Sequence, residues 1–183
     1  MKRALFLSLA MISLFSCVET KPEAVLEDDF ITPVNVGDWR DEIIYQVLID
    51  RFDDGDVNNN YNVDRRHMAR YHGGDWQGLI NRLDYLETLG VTALWISPVV
   101  KNVEEDAGFA SYHGYWTQDF LSVNPHFGNI TDLRRFVDAA HRRNMKVILD
   151  VVTNHVGQLF FYDINGNGSP DDTLMGSGNH SPL

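Results

Sequence analysis

A ten-residue segment, KVILDVVTNH at residues 146–155, constrains the fold of this chain more than any other part of its sequence. Its apolar and β-branched residues have the composition of a strand that is buried on both faces of a parallel sheet. The run ends in the polar residues Asp150, Asn154 and His155. Ligands of parallel α/β proteins bind beyond the carboxyl ends of the strands, so these three residues are binding-site candidates. The alternative is that they satisfy turn backbone and that His155 is a buried, hydrogen-bonded histidine.

The amino terminus has the features of an export signal. Lys2 and Arg3 precede an apolar stretch that is too short to span a bilayer as a stable helix. The stretch ends in LFSC, which resembles a bacterial lipobox, in which the cysteine is acylated and becomes the new amino terminus. A buried thiol is the alternative for Cys17, the only cysteine. We therefore expect residues 1–17 to be a lipoprotein signal peptide and the protein to be an exported bacterial lipoprotein, anchored through Cys17 to a membrane in the periplasm or at the cell surface.

Charge and composition restrict the partners of the exported protein. Residues 18–38 are rich in acidic side chains and are predicted to form a flexible acidic tether, so the folded part is expected to begin near Trp39. A formal net charge of -11 repels phosphate backbones and anionic lipid surfaces, and we expect no nucleic-acid partner. The excess of acid suits binding of cations or of neutral, hydroxyl-rich ligands. Because there is no pair of cysteines, rigidity must come from packing or from a metal.

The rest of the chain shows a repeated strand and helix pattern. Strands are predicted at residues 42–50 and 145–152, and a further strand is predicted within residues 91–100. Between the first two strands, Asp75 is a predicted helix cap and Gly90 a predicted helix stop, with apolar residues at helical spacing between them. A second helix is predicted over residues 131–144, capped by Thr131. This order predicts an α/β fold with a parallel sheet and with unusually long loops after the strands.

The length of the pattern favours part of a barrel. Three parallel strands cannot close on themselves, whereas a (β/α)₈ TIM barrel needs eight strands and at least ~200 residues. We interpret residues 39–156 as the first three β/α units of such a barrel, and residues 157–183 as the truncated start of an inserted domain. A complete, small doubly wound domain is the alternative, but no covering helix is predicted after the third strand.

Two segments are candidate Ca²⁺ loops. DDGDVNNN at residues 53–60 places oxygen-bearing side chains close together around a glycine, and YHGGDW at residues 71–76 adds a carboxylate and backbone carbonyls. Ca²⁺ takes several oxygen ligands at once, although a solvated turn is the alternative for residues 53–60. DINGNG at residues 163–168 matches the start of an EF-hand loop, but Leu174 stands where a bidentate Glu is needed. That segment is either a weak Ca²⁺ site or a plain turn.

The segment YHGYWTQD at residues 112–119 follows the second predicted strand and combines aromatic rings with hydrogen-bonding groups. Such a combination suits a neutral sugar, because a pyranose has an apolar C–H face and a rim of hydroxyls. The alternative is that the rings of Tyr112 and Trp116 pack into a small satellite core. We expect Trp116 to pack in this way and His113 and Tyr115 not to do so. Trp116 is still kept as a substrate-binding candidate.

Four segments in this order resemble the α-amylase family of glycoside hydrolases, including the cyclodextrin glucanotransferases. They are IYQVLIDRFDDGD, YHGGDWQGLINRLDYLETLGVTALWISPV, YHGYWTQDF and DVVTNH, and the likeness extends from Asp41 to about Gly168. The resemblance implies a calcium-dependent (β/α)₈ enzyme that cleaves or transfers α-1,4-glucosidic bonds in starch or maltodextrins with retention. It also implies that residues 157–183 are the start of the inserted domain B of this family.

The resemblance implies roles for single residues. By the DVVTNH match, His155 would hydrogen-bond the sugar at the cleavage subsite, and Asp150 would hold the floor of the site through partners further along the chain. Asn154 would ligate a Ca²⁺ between the barrel and domain B. By the YHGYW match, Tyr115 would stack on the same sugar and His113 would line the pocket. In relatives similar to cyclodextrin glucanotransferases, the first loop binds a second Ca²⁺, which maps onto Asp54, Asp56, Asn59, Asn60, the carbonyl of Gly73, and Asp75.

The resemblance also implies that no catalytic carboxylate lies in this chain. The family's nucleophile aspartate, acid/base glutamate and transition-state aspartate follow the fourth, fifth and seventh strands of the barrel. Retaining hydrolysis needs two carboxylates about 5 Å apart, so we predict an inactive fragment, with exposed strand edges, of an active α-glucan hydrolase. A non-catalytic surface lipoprotein that binds glucans is one alternative, and Ca²⁺ sites with a purely structural role are another.

Overall fold

The computed structural model describes residues 32–35 and 37–158. The predicted signal peptide with Cys17, most of the acidic tether, the DINGNG segment and nearly all of the predicted start of domain B lie outside these residues. Within the described residues, no helix is both long enough and apolar enough to cross a membrane.

The described residues form short strands and helices. The strands are β1 (Ile44–Val47), β2 (Ala93–Ile96), β3 (Val100–Asn102), β4 (Glu105–Asp106), β5 (Phe109–Ala110), β6 (Thr117–Val123) and β7 (Lys146–Leu149). The α-helices are α1 (Ile49–Phe52), α2 (Trp76–Asn81), α3 (Leu83–Thr88) and α4 (Ile130–His141). Single 3₁₀ turns lie at Trp39–Asp41, Val57–Asn59 and Pro125–Phe127.

Strands β1, β2 and β7 form one parallel sheet in that spatial order, which confirms the predicted three-stranded α/β arrangement. The side chains of Leu94 and Ile96 on β2 are buried beneath the helices, whereas Ile44, Gln46 and Trp95 share the opposite face and are exposed. In a closed (β/α)₈ barrel the helices lie outside, so this exposed face corresponds to the barrel interior. The described residues therefore form an open part of a barrel.

The first and third strands of the sheet are shorter than their sequence patterns predicted. The first was expected to reach Asp50, but the chain leaves the ladder after Val47 and turns into α1. Asp50 is buried, and its carboxylate accepts backbone N–H bonds from His72 at 2.8 Å and Gly73 at 3.0 Å. These bonds to the following loop hold Asp50 in a helical turn, where it cannot continue the strand.

The helices pack through aromatic side chains on the covered face of the sheet. Trp76 on α2 lies edge-on to Phe127, with ring centroids 5.7 Å apart, and stacks on Phe136 of α4 at 6.0 Å. The predicted cap Asp75 is confirmed, because its side chain accepts the N–H of Gly78 at 2.6 Å. The predicted continuous helix to Gly90 is interrupted at Arg82, which separates α2 from α3.

Helix α4 is capped by Asn129, whereas the sequence predicted Thr131 as the cap. The Asn129 side chain accepts the backbone N–H groups of Thr131 and Asp132, at 2.8 and 3.2 Å. Asp132 in turn accepts the N–H of Asn129 at 3.0 Å, which completes a capping box. This reciprocal pair satisfies more free N–H groups than a cap at Thr131 could.

Contacts with the barrel begin before Trp39, the predicted start of the folded part. The backbone N–H and the hydroxyl of Thr32 both donate to Asp138 of α4, at 3.1 and 2.6 Å. The carbonyl of Thr32 lies 2.6 Å from Nδ1 of His141 on the same helix. Thr32, assigned to the tether from sequence, is thus bound to the outer helix of the second β/α unit.

Candidate functional site

Asp150 and Tyr115 meet beyond the carboxyl ends of β2 and β7. The Tyr115 hydroxyl donates to Asp150 Oδ2 at 2.9 Å, and the Trp95 indole Nε1 donates to the same oxygen at 3.3 Å. Burial, followed by the bond to Asp150, raises the pKa of Tyr115, so the hydroxyl stays protonated and continues to donate. The carboxylate is thus held by two donors that precede it in the chain. The partners further along the chain that the resemblance implies stay a prediction.

His155 and His113 both contact the backbone of Tyr115. His155 Nε2 lies 2.9 Å from the Tyr115 carbonyl oxygen, and the Tyr115 N–H donates to His113 Nδ1 at 3.0 Å. The rings of His113 and Tyr115 are inclined by 23°, with centroids 5.7 Å apart. The predicted sugar-site residues on the two loops therefore lie at one rim and not on opposite sides of the molecule.

His113 is held in its neutral form. Burial, followed by the positive charge of Arg51, lowers the pKa of His113 below its ordinary value of 6.5. Because Nδ1 accepts the Tyr115 N–H, the proton of the neutral ring is on Nε2. A neutral Nε2–H group can donate to a sugar hydroxyl without placing a charge in the cleft.

Trp116 packs as a support for this rim. Its ring lies edge-on to that of His113, with centroids 4.6 Å apart. Its backbone N–H donates to the Asn102 side chain at 2.5 Å, and its carbonyl accepts the N–H of Val103 at 3.0 Å. These bonds fix Trp116 to β3 and to the residue that follows it, so the half-buried ring packs as expected for a satellite core.

Asp75 organises the first predicted Ca²⁺ loop. It is fully buried, and its two oxygens accept from Gly55, Asp56 and Asn59 as well as from Gly78 at the start of α2. The bonds to the Gly55 and Asp56 backbone are 3.1 and 2.8 Å long. One carboxylate thus caps a helix and folds the loop back onto it.

Three oxygens of this loop are buried without a hydrogen-bond partner among the described residues: Asp54 Oδ1, Asn59 Oδ1 and Asn60 Oδ1. The other Asp54 oxygen accepts from Asn60 Nδ2 at 2.6 Å and pairs with Arg65. Gly73 lies against the same group, because a Cβ added there would be 2.3 Å from Asn60 Oδ1 and 3.2 Å from Asp54 Oδ2. Buried oxygens that lack donors are costly, and a bound cation would satisfy them.

The other predicted metal ligands are arranged differently. The Asp56 side chain caps its own turn, where it accepts from the backbone and side-chain nitrogens of Asn58, at 3.0 and 2.7 Å. Asn154 is exposed, and no described residue forms a hydrogen bond with its side chain. Within residues 32–35 and 37–158, no three His, Cys, Asp or Glu side chains come together as a metal cluster, so a cation at the first loop would need amide and carbonyl oxygens in addition to the Asp54 carboxylate.

Two residues at this rim were not predicted from the sequence, Trp95 and Arg51. Arg51 directly follows the first strand as predicted from sequence, although it lies in α1 of the structure, and its guanidinium carbon lies 3.7 Å from the centroid of the Tyr112 ring. The rule that selected Asp150, polar residues at the carboxyl end of a strand, would also have selected Arg51 if applied to β1. No local signal identifies Trp95, because its partner lies 55 residues away.

Known proteins are similar to this chain in sequence and in fold. The chain matches the α-amylase catalytic-domain family over residues 46–173. It is 38% identical to a cyclomaltodextrin glucanotransferase of Geobacillus stearothermophilus, over 96% of this chain and 27% of that protein. It is 41% identical to α-amylase 2 of Schwanniomyces occidentalis, over 92% of this chain and 32% of that protein. A crystal structure of an Anoxybacillus α-amylase matches it with a TM-score of 0.62 and 47% identity, over 66% of this chain and 26% of that one.

The chain spans about a quarter to a third of the length of these relatives. The matched family covers most of the chain, and the described part of the match includes both loops of the candidate sugar site and the first oxygen-rich loop. Strands β1, β2 and β7 of the parallel sheet are the barrel strands that these loops follow. The chain belongs to the α-amylase family, of whose (β/α)₈ catalytic barrel it forms a part.

Proposed function

We propose that this chain is part of a retaining α-glucan hydrolase of the α-amylase type, which cleaves internal α-1,4-glucosidic bonds in starch and maltodextrins. The observation that carries the proposal is the convergence of Tyr115, Asp150 and His155 at the carboxyl ends of β2 and β7. An aromatic face beside neutral and charged hydrogen-bonding groups matches the apolar and hydroxyl-bearing surfaces of a glucose unit. The related α-amylases and cyclomaltodextrin glucanotransferase support the same substrate class.

In this proposal, the described residues bind and orient one glucose unit. Tyr115 stacks on the sugar ring, and Asp150 fixes the Tyr115 hydroxyl. His155 and neutral His113 hydrogen-bond sugar hydroxyls, with Trp116 behind them. Retaining hydrolysis also needs a nucleophile and an acid about 5 Å apart. Within the described residues, no second carboxylate is hydrogen-bonded to this group, so we place both catalytic carboxylates on other strands of the barrel.

The proposed cofactor is Ca²⁺, and the first loop fits it. The unpartnered oxygens of Asp54, Asn59 and Asn60 would hold the ion, together with the Gly73 carbonyl. Asp75 would contribute negative charge and Asp56 would hold the turn beside it. When bound, the ion would neutralise the Asp54 carboxylate and tie the loop after β1 to the segment before α2. Asn154 is proposed to ligate a second Ca²⁺ with partners outside the described residues.

A non-catalytic glucan-binding protein is the second candidate, because the group formed by Tyr115, Asp150 and His155 suits sugar binding by itself. Incubation of the full-length protein with soluble starch distinguishes the two. We expect new reducing ends from starch and none from cellulose, a β-linked glucan that serves as the control. Starch binding without any new reducing ends would support the binding protein and contradict the hydrolase.

We also propose that the protein is exported and acylated at Cys17, which lies outside the described residues. The basic residues before the apolar stretch and the LFSC sequence support this localisation. Metabolic labelling with radioactive palmitate should mark the wild-type protein and leave the Cys17→Ala variant unlabelled. Equal labelling of the two would rule out Cys17 as the anchor.

A further inference from the structure

The guanidinium of Arg51 is held by backbone and side-chain partners. Nη2 donates to the carbonyls of Met68 and Arg70, at 2.9 and 2.8 Å. Nη1 lies 2.9 Å from Nδ1 and 2.7 Å from Nε2 of the His72 ring. Nε lies 2.9 Å from Asp50 Oδ2 in an ion pair that lacks hydrogen-bond geometry. The side chain is 22% exposed. The N–H groups of Nη2 lie in the guanidinium plane, so their two bonds to backbone carbonyls fix the orientation of the group and leave its faces available for stacking.

One face of this group lies against the loop that carries the proposed sugar site. The guanidinium carbon is 3.7 Å from the Tyr112 ring centroid, which is cation–π geometry. The Tyr112 ring lies edge-on to His113, with centroids 5.3 Å apart. His113 Nδ1 accepts the N–H of Tyr115, whose hydroxyl donates to Asp150. A continuous chain of contacts therefore leads from Arg51 in α1 to the rim of the cleft.

We propose that Arg51 is a positioning residue of the α-glucan site, a platform that supports Tyr112 and thereby orients His113 and Tyr115. This inference rests on the proposed function and adds a residue that does not touch the sugar. The platform requires a planar cation, because the group must bond in its own plane and stack through its face at once. Lysine keeps the charge but offers neither the fork of donors nor the flat face.

A purely structural role is the competing explanation, because Arg51 also ties the backbone at Met68 and Arg70 to the end of β1. Arg143 provides a matched control. It bonds Asp84 at 2.6 Å and the Ala139 carbonyl at 3.2 Å, and it is 32% exposed. These bonds join helices α3 and α4 on the outside of the barrel. Arg143→Lys should therefore lower stability and leave the cleft unchanged.

The test is a double-mutant cycle in the full-length protein, with kcat and KM measured on maltoheptaose and Tm measured for every variant. We expect Arg51→Lys and Tyr112→Leu each to lower kcat about tenfold with less change in KM. The double variant should be no slower than the slower single variant, because both changes break one chain of contacts. Tyr112→Phe keeps the ring, so it should retain most of the kcat that Tyr112→Leu loses.

Three results would overturn the inference. The first is a double variant in which the two losses of kcat multiply, and the second is a Tyr112→Phe variant that is as slow as Tyr112→Leu. The third is an Arg143→Lys variant that loses as much Tm and as much kcat as Arg51→Lys. Absence of any α-glucan hydrolysis by the wild type would instead contradict the proposed function. An NMR titration of His113 tests the placement separately, since Arg51→Gln should raise the pKa of His113. An unchanged pKa of His113 would contradict the position of Arg51 close to His113, whether or not the protein is active.

Discussion

Replacing Tyr115 with alanine is expected to lower kcat/KM of the full-length protein on maltodextrin about 100-fold. The change removes the proposed stacking face, and burial of an aromatic ring contributes about 1.5–3 kcal/mol. It also leaves Asp150 without its hydroxyl donor at 2.9 Å, a further cost of about 1 kcal/mol or more. Steady-state kinetics on maltodextrins of defined length provide the measurement.

Two further substitutions separate the parts of this effect. Tyr115→Phe keeps the ring and loses the bond to Asp150, so we expect a loss of about tenfold. Tyr85→Ala removes a tyrosine on α3 that is 53% exposed, and it should leave the kinetics unchanged. If the phenylalanine and alanine variants at position 115 lose the same activity, the stacking role is wrong.

Replacing Asp54 with asparagine is expected to weaken Ca²⁺ binding at the first loop at least about tenfold, because it removes the negative charge of the one carboxylate among the three buried oxygens that lack donors. In the wild type, Ca²⁺ at about 100 times its Kd should stabilise the folded protein by about 2.7 kcal/mol. Asp54→Asn should lose about half of that gain or more at the same Ca²⁺ concentration. Isothermal calorimetry measures the affinity, and calorimetric melting with and without Ca²⁺ measures the stabilisation.

Asp64 is the control for this experiment. It is an exposed carboxylate a few residues further along, and its side chain accepts the N–H of Arg66 at 3.0 Å. Asp64→Asn changes the net charge by the same amount, so it reports any long-range electrostatic contribution. Equal Ca²⁺ affinity in wild type and Asp54→Asn would remove the first loop as a metal site.

The sequence predicted the sheet and the rim because both depend on local patterns. The apolar run before Asp150 identifies a buried strand, and the polar residues that follow must lie at its carboxyl end. The same argument, applied to the loop after β2, places Tyr115 at the same rim. The contact of His155 with the Tyr115 carbonyl follows from parallel strand order, which brings the two loops together.

The remaining features depend on contacts between distant residues. Residues 49–52 contain apolar side chains that fit a strand, yet they form α1 because Asp50 is bonded to the backbone of His72 and Gly73. Likewise, Arg51 and Tyr112 are far apart in the chain, and no periodic pattern reports a cation–π contact. The Asn129 cap is a different case, because the Asn and Asp three residues apart are a visible capping box.

The most direct test of the central claim is a crystal structure of the full-length protein with a bound maltooligosaccharide. We expect one glucose ring to stack on Tyr115, with a hydroxyl within hydrogen-bonding distance of His155. We also expect the Tyr115 hydroxyl to remain on Asp150. A glucan bound elsewhere on the barrel, with the rim of Tyr115 and His155 free of sugar, would contradict the account.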